Sequence, residues 1–351
     1  MRTLFVAAML QLLLLTTLDA QGRPARVDGF LTTTVGLDAG QLAALARGEV
    51  VAKVLPTGDD RDVAVFAVTH VAAPRGTFLH QQEDLSRGLI TPTRRSVHVF
   101  SSPPRERDVA DIEVTGNDID ELRKCRPNDC NFKLPATTMD SLRTSIDWTA
   151  PDAARRVTAF VRTRILQYVT AYRERGDEAL IAYDDNGHVR ASDALTAMLN
   201  DSSYAPSGLS TLRAHLVSYP HDALVGAREV IFWSLDDLPH VRPILRITHQ
   251  TVYSPPELPG TTILAAKQIF ADHYFEAGFE LLIAADDSAT SPGTTPTGFT
   301  CIALRRYRFD HLPSGGLLNL RGRVINGLRD NVRSDLQRLK HDMESGTPNS
   351  R

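Results

Sequence analysis

The last third of the chain sets the terms for the rest. Four strand-like runs, at residues 229–233, 242–253, 263–285 and 299–309, are followed by one long amphipathic stretch that ends near Met343. Each run is rich in β-branched or aromatic residues, and clusters of Pro, Gly, Ser or Asp separate them. In the third run Ile269, Ala271, Phe275, Ala277, Phe279, Leu281 and Ile283 alternate with Gln268, Asp272, Glu276 and Glu280. A period of two puts one face of such a strand in a core and the other in water. The second run follows the same rule if Pro243, Leu245, Ile247 and Thr251 look inward while Arg242, Arg246 and Gln250 look out. The fourth resists it, because Ile302 and Leu304 compete with Phe299, Ala303, Tyr307 and Phe309 for the inner face.

After the Gly315-Gly316 turn, Leu317, Leu320, Val324, Leu328, Val332, Leu336, Leu339 and Met343 recur at steps of three and four. This is the stripe of a helix long enough to lie across a sheet. Gly322 and Gly327 within it each cost about 1 kcal/mol relative to Ala. The missing side chains therefore serve either close packing on a strand or a cavity under the helix.

The chain opens with Arg2, an apolar core at residues 4–15 and a small residue, Ala20, before Gln21. An apolar run this short and this close to the terminus reads as a cleaved secretory signal over residues 1–20, with an uncleaved anchor as its rival. Only 5 of the 39 basic residues are Lys, a bias expected of a GC-rich bacterial genome, so the expected compartment is a periplasm or the outside. A net charge of -3 provides no electrostatic footprint for nucleic acid. In an oxidising compartment Cys125 and Cys130 most simply close a local disulfide, whereas Cys301, on a strand, reads as a small buried apolar residue.

Residues 21–36 read as a mobile leader, and residues 37–343 as a single domain carrying an insertion at about residues 101–220, before a disordered tail at 344–351. Asp38 can cap a short helix that stops at Gly48. Residues 49–55 and 63–71 form a hairpin pattern, followed by a weakly amphipathic piece with Phe78, Leu79 and Leu85, and a short strand at 96–100. Residues 101–148 read as irregular surface around a brief helix at 118–122. Helices are then expected at 151–175, with Val157, Phe160, Val161, Ile165, Val169 and Tyr172 on one face, at 191–199 and at 209–217.

The order of these elements, with the text Gly48-Glu49-Val50-Val51 and the later Val71-Ala72-Ala73-Pro74, resembles the helix-grip fold of the START-like lipid-binding and polyketide-cyclase superfamily. The resemblance covers residues 48–100 and 229–343. It implies an α+β fold in which a curved antiparallel sheet grips the C-terminal helix, leaving a cavity for a hydrophobic or amphipathic small molecule such as a lipid. It carries over no individual site residue.

The chain lacks phosphate-binding glycine loops, the His-Glu-x-x-His zinc motif and the Gly-x-Ser-x-Gly elbow, so no cofactor, nucleotide, haem or metal is expected. Four polar residues stand out on the expected inner face: Lys267, His273, His249 and Arg305. Buried charges need a partner, water or a polar ligand group. The first reading makes these residues the grip on an anionic head group in the cavity between sheet and C-terminal helix. The second is an enzyme with His249 or His273 as general base. The third is an envelope interaction protein without a pocket, and the structural alternative places the four at strand ends or bulges. Membrane contact is compatible with the first reading.

Overall fold

The computed structural model describes residues 23–83, 94–200, 209–237, 242–288, 296–310 and 320–346. Its strands are β1 (Val51–Leu55), β2 (Asp62–Val71), β3 (Arg94–Val99), β4 (Ala182–Tyr183), β5 (Val189–Arg190), β6 (Arg228–Asp236), β7 (Ile244–Tyr253), β8 (Thr261–Ala271), β9 (Phe275–Asp286) and β10 (Phe299–Phe309). The helices are α1 (Ala25–Gly29), α2 (Ala39–Ala46), α3 (Arg75–Glu83), α4 (Gly116–Lys124), α5 (Ala136–Ser145), α6 (Ala153–Arg175), α7 (Ala191–Asn200), α8 (Ser210–Ser218) and α9 (Leu320–Ser345). Eight strands form one open antiparallel sheet in the order β1-β2-β10-β9-β8-β7-β6-β3, and β4 pairs with β5 apart from it. The fold is α+β, with the C-terminal helix on the sheet and further helices around it, an architecture compatible with a helix-grip fold.

Helices cover both faces of this sheet, which departs from the one-wet-face expectation. On one face α9 buries Leu328, Val332, Leu336 and Met343 against Val63, Val65, Ala67, Cys301 and Ala303 of β2 and β10. On the other, α1, α2 and α8 cover Ala64, Phe66, Val68, Ile263, Ala265, Leu281, Ile283 and Ile302, and α6 covers Ile231, Trp233 and Ile247. The rivalry between Ile302 and Ala303 for one inner face is thereby resolved: each serves a core of its own. Arg246 and Gln250, expected in water, are both 2% exposed for the same reason.

The long third run is two strands. The chain reverses at residues 272–274, where Tyr274 adopts a left-handed φ of 62° with no Gly, Pro or Asn to announce it. Leu245 fixes the turn from β7, its carbonyl accepting from Asp272 N–H at 3.1 Å and its N–H donating to Asp272 Oδ1 at 2.9 Å. Alternation consequently does not carry through: Ile269 and Phe279 face α6 and α7, whereas Ala271 and Phe275 belong to the core under α9.

The segment read as a leader is built into the fold from Arg23 onward. α1 and the π-helical turn Phe30–Thr34 bury Val27 and Leu31 in the core that α2 shares. Asp38 caps α2 as expected, its carboxylate accepting from Gln41 N–H at 2.8 Å while the Gln41 side chain accepts from Asp38 N–H at 3.0 Å. The end of α6 at Gly176 is equally constrained: φ is 55°, and a Cβ there would lie 1.6 Å from the Tyr219 carbonyl oxygen. Residues 1–20, read as a signal, Leu85 and Leu317 lie outside the described residues.

Candidate functional site

The central segment, expected as surface irregularity, forms one wall of a cavity of about 1130 Å³. The sheet supplies Trp233, Leu235, Leu245, Ile247 and Phe270, and α6 supplies Phe160, Arg164, Tyr168, Ala171 and Arg175 at helical steps of four, four, three and four. Ile112, Val114, Leu122, Phe132, Leu134 and Leu142 close the third side. The cavity therefore lies on the sheet face away from α9. Tyr168 spans it, its hydroxyl donating to the Ile269 carbonyl, and Trp233 Nε1–H donates to the Asp108 carbonyl at 2.7 Å. Both aromatic rings are thus locked by their polar ends, as suits a preformed apolar site.

One corner of the cavity is polar, and three of its residues line the space: Asp118, Arg242 and Asp272. Glu121 holds the Arg242 guanidinium in a fork, accepting at 2.8 and 2.9 Å, and Asp118 stands 3.4 Å away. Those bonds hold the Glu121 carboxyl below the usual carboxylate range. Arg242 also donates to His273 Nε2 at 3.3 Å, which leaves the ring proton on Nδ1, 2.9 Å from Asp272 Oδ1. Burial pushes the Asp272 carboxyl up, against the pull of His273 and the Leu245 N–H. The cysteine loop is pinned beside this corner, since Lys133 N–H donates to the Asp272 carbonyl at 2.8 Å and the Phe132 ring lies 4.4 Å from that of His273.

The four polar residues singled out in the sequence do not converge on one ligand position. Lys267 and His249 are register partners on β8 and β7, both fully buried. Lys267 Nζ donates to Asp177 at 2.6 Å and to the Leu216 carbonyl at 2.5 Å, with the Tyr172 ring 5.3 Å away. His249 Nδ1 is hydrogen-bonded to the Tyr172 hydroxyl at 2.9 Å, and its Nε2 stands 3.4 Å from Glu229. Glu229 in turn stands 2.5 Å from His215 Nε2. His273 sits in the β8–β9 turn, where the strand parity that placed it inward does not apply. Arg305 lies on the opposite face, paired with Asp335 of α9 at 2.6 Å and with Glu280 at 3.6 Å. None of the four lines the cavity; Arg242 and Asp272, the neighbours of His273, do.

Cys125 and Cys130 form a disulfide, with Cα atoms 4.4 Å apart, and Cys301 is a free buried thiol whose pKa burial pushes up to about 12. Asp272 and Arg242 escaped the sequence reading because parity assigned both to a wet face; the available signal was their place at strand ends, where parity lapses. α5, bearing Met139 and Leu142, escaped as well, although Pro135 followed by apolar residues at Met139, Leu142 and Ile146 marks its start and its face. Among the described residues no helix is long and apolar enough to cross a membrane. No family model, no curated protein and no solved structure matches the chain, so the architecture rests on its own geometry.

Proposed function

We propose that the protein binds a hydrophobic or amphipathic small molecule in the cavity between the sheet and α6. The observation that carries this reading is the lining itself: about 1130 Å³ walled by aliphatic and aromatic side chains, with charged groups confined to one corner and to an exposed rim that includes Arg164 and Arg175. Such composition suits a ligand that is mostly apolar. The packing of the apolar face of α9 directly on β2 and β10 favours this cavity over the space between the sheet and α9. We further infer a periplasmic or extracellular setting, supported by the apolar start of the sequence and by a disulfide that an oxidising compartment would keep.

Binding ranks ahead of catalysis because neither histidine offers a nitrogen to the cavity. Nε2 of His273 is occupied by Arg242, and His249 is fully buried between Tyr172 and Glu229. The test is native mass spectrometry of protein purified without denaturant, with Ala171→Phe as the cavity-filling control. An adduct of hydrophobic character on the wild type, lost in a variant that still folds, is the expected result. Wild-type protein that carries no adduct and binds no member of a panel of hydrophobes would remove the reading.

A further inference from the structure

We propose that Asp272 is the specificity-determining anchor of the cavity and that it selects an apolar molecule carrying a hydroxyl group over one ending in a carboxylate. The inference rests on the binding reading given above. Asp272 lies in the cavity wall at the end of β8, and its two carboxylate oxygens are in different situations. Oδ1 is engaged, accepting from Leu245 N–H at 2.9 Å and facing His273 Nδ1 at 2.9 Å. Oδ2 has no hydrogen-bond partner among the described residues, and the side chain keeps 17% of its surface. Asp118, the other carboxylate of this corner in the lining, makes only a 3.4 Å contact to Arg242 through Oδ1 and is 35% exposed, so Asp272 is the more buried and more firmly held acceptor of the corner.

The surroundings fix both its orientation and its sign. Arg242 holds His273, Glu121 holds Arg242 in a fork, and the Leu245 backbone holds Oδ1, so the acceptor is preorganised before any ligand arrives. Asp118, Glu121 and Asp272 outnumber Arg242, and the guanidinium is already spent on Glu121. A ligand carboxylate placed here would meet an uncompensated acidic wall in a partly desolvated space, which is a repulsive contact and a selective one. A hydroxyl can donate to Oδ2 without bringing a charge out of water. The upward pull of burial on this carboxyl favours an uncharged donor for the same reason.

The test compares 1-decanol with decanoate, two probes with the same chain length and different heads, by titration calorimetry on the full chain at neutral pH. Wild-type protein is expected to prefer the alcohol by about tenfold or more. Asp272→Asn makes a sharper arm. Leu245 N–H requires an acceptor, so the amide oxygen takes the place of Oδ1 and the amide NH₂ faces the cavity as a donor. The alcohol-over-acid preference should then fall by about tenfold or reverse. Ala171→Phe should abolish binding of both probes. If both bind the wild type equally and both are lost in Ala171→Phe, the cavity stands and the role of Asp272 is overturned. If neither binds, the cavity reading falls and the anchor with it. Should Asp272→Asn not fold, the wild-type preference decides alone.

Discussion

Lys267 stands directly opposite His249 in the β7–β8 register, and each is held by side chains outside the sheet: Asp177 takes the ammonium at 2.6 Å, and Tyr172 takes the imidazole at 2.9 Å. Parity placed both residues inward, and both are fully buried, the cation against the Asp177 carboxylate.

Lys267→Met should therefore destabilise the fold. The variant leaves Asp177, whose side chain is 15% exposed, without its cation and the buried Leu216 carbonyl without a donor. Breaking a buried pair from one side costs about 3–5 kcal/mol. Urea denaturation is the measurement, and binding per folded molecule is expected to stay unchanged. A variant as stable as wild type that no longer retains ligand would return Lys267 to the binding site.

Stability should fall as pH falls through the histidine range, and His249 should carry part of the fall. Its folded pKa is lowered, first by burial and then by Lys267, against the opposing pull of Glu229; His215, Tyr172 and Tyr219 complete its surroundings. Below the ordinary value of 6.5 the unfolded chain takes a proton that the folded one refuses, so this contribution is complete above 6.5 and is lost as pH drops toward the folded pKa. Glu229, also lowered in the fold, acts in the same direction below its ordinary 4.5, in a separate window. Urea midpoints between about pH 7.5 and about pH 5 should decline in wild type and decline less in His249→Gln. Parallel declines would show that other groups govern this range.

Much of the architecture was legible before the structure, and the failures share a physical cause. Periodicity located α6, α7, α8 and α9 because each presents an apolar stripe, whereas β10 was marked only by its β-branched and aromatic residues. It could not see that helices cover both sheet faces, and that is why Arg246 and Gln250 read as wet and Ile302 as an anomaly. Nor could it find the reversal at residues 272–274, which is held by the bonds between Leu245 and Asp272 and by Asp310 N–H donating to the Tyr274 carbonyl, partners distant in sequence. The candidate site suffered most. A cavity wall assembled from α4, α5, α6 and the sheet exists only once those elements meet, and its anchor sits where alternation ends.

Arg305 should prove to be a structural clasp between sheet and C-terminal helix. It pairs with Asp335 of α9 at 2.6 Å and with Glu280 at 3.6 Å, while Glu280 also meets Arg246 at 3.1 Å and the Tyr307 hydroxyl at 2.8 Å. Burial opposes the Glu280 charge, but Arg94, Arg246 and Arg305 together hold its carboxyl well below the carboxylate range. A double-mutant cycle of Arg305→Met with Asp335→Asn should return a coupling energy of about 1–3 kcal/mol. Additive effects of the two substitutions would show that α9 is held by its apolar stripe alone.

Opening the disulfide should reach the cavity through the chain that follows it. Cys125 is buried with Leu122, Met139 and Leu142, and the residues after Cys130 lead within a few positions to Phe132 and Leu134 in the cavity wall. Closing so short a loop contributes about 2 kcal/mol by constraining the unfolded chain. Cys125→Ser with Cys130→Ser should therefore lower global stability by about that amount. It should also loosen the wall locally, because Lys133 N–H anchors the same segment to the Asp272 carbonyl and the bond upstream no longer limits its motion. Amide hydrogen exchange is the discriminating measurement: residues 126–134 should exchange faster in the double variant while β2, β9 and β10 keep their protection. Ligand affinity should weaken in parallel with that exchange. Faster exchange at residues 126–134 with undiminished affinity would mean that this side of the wall does not contact what the cavity holds.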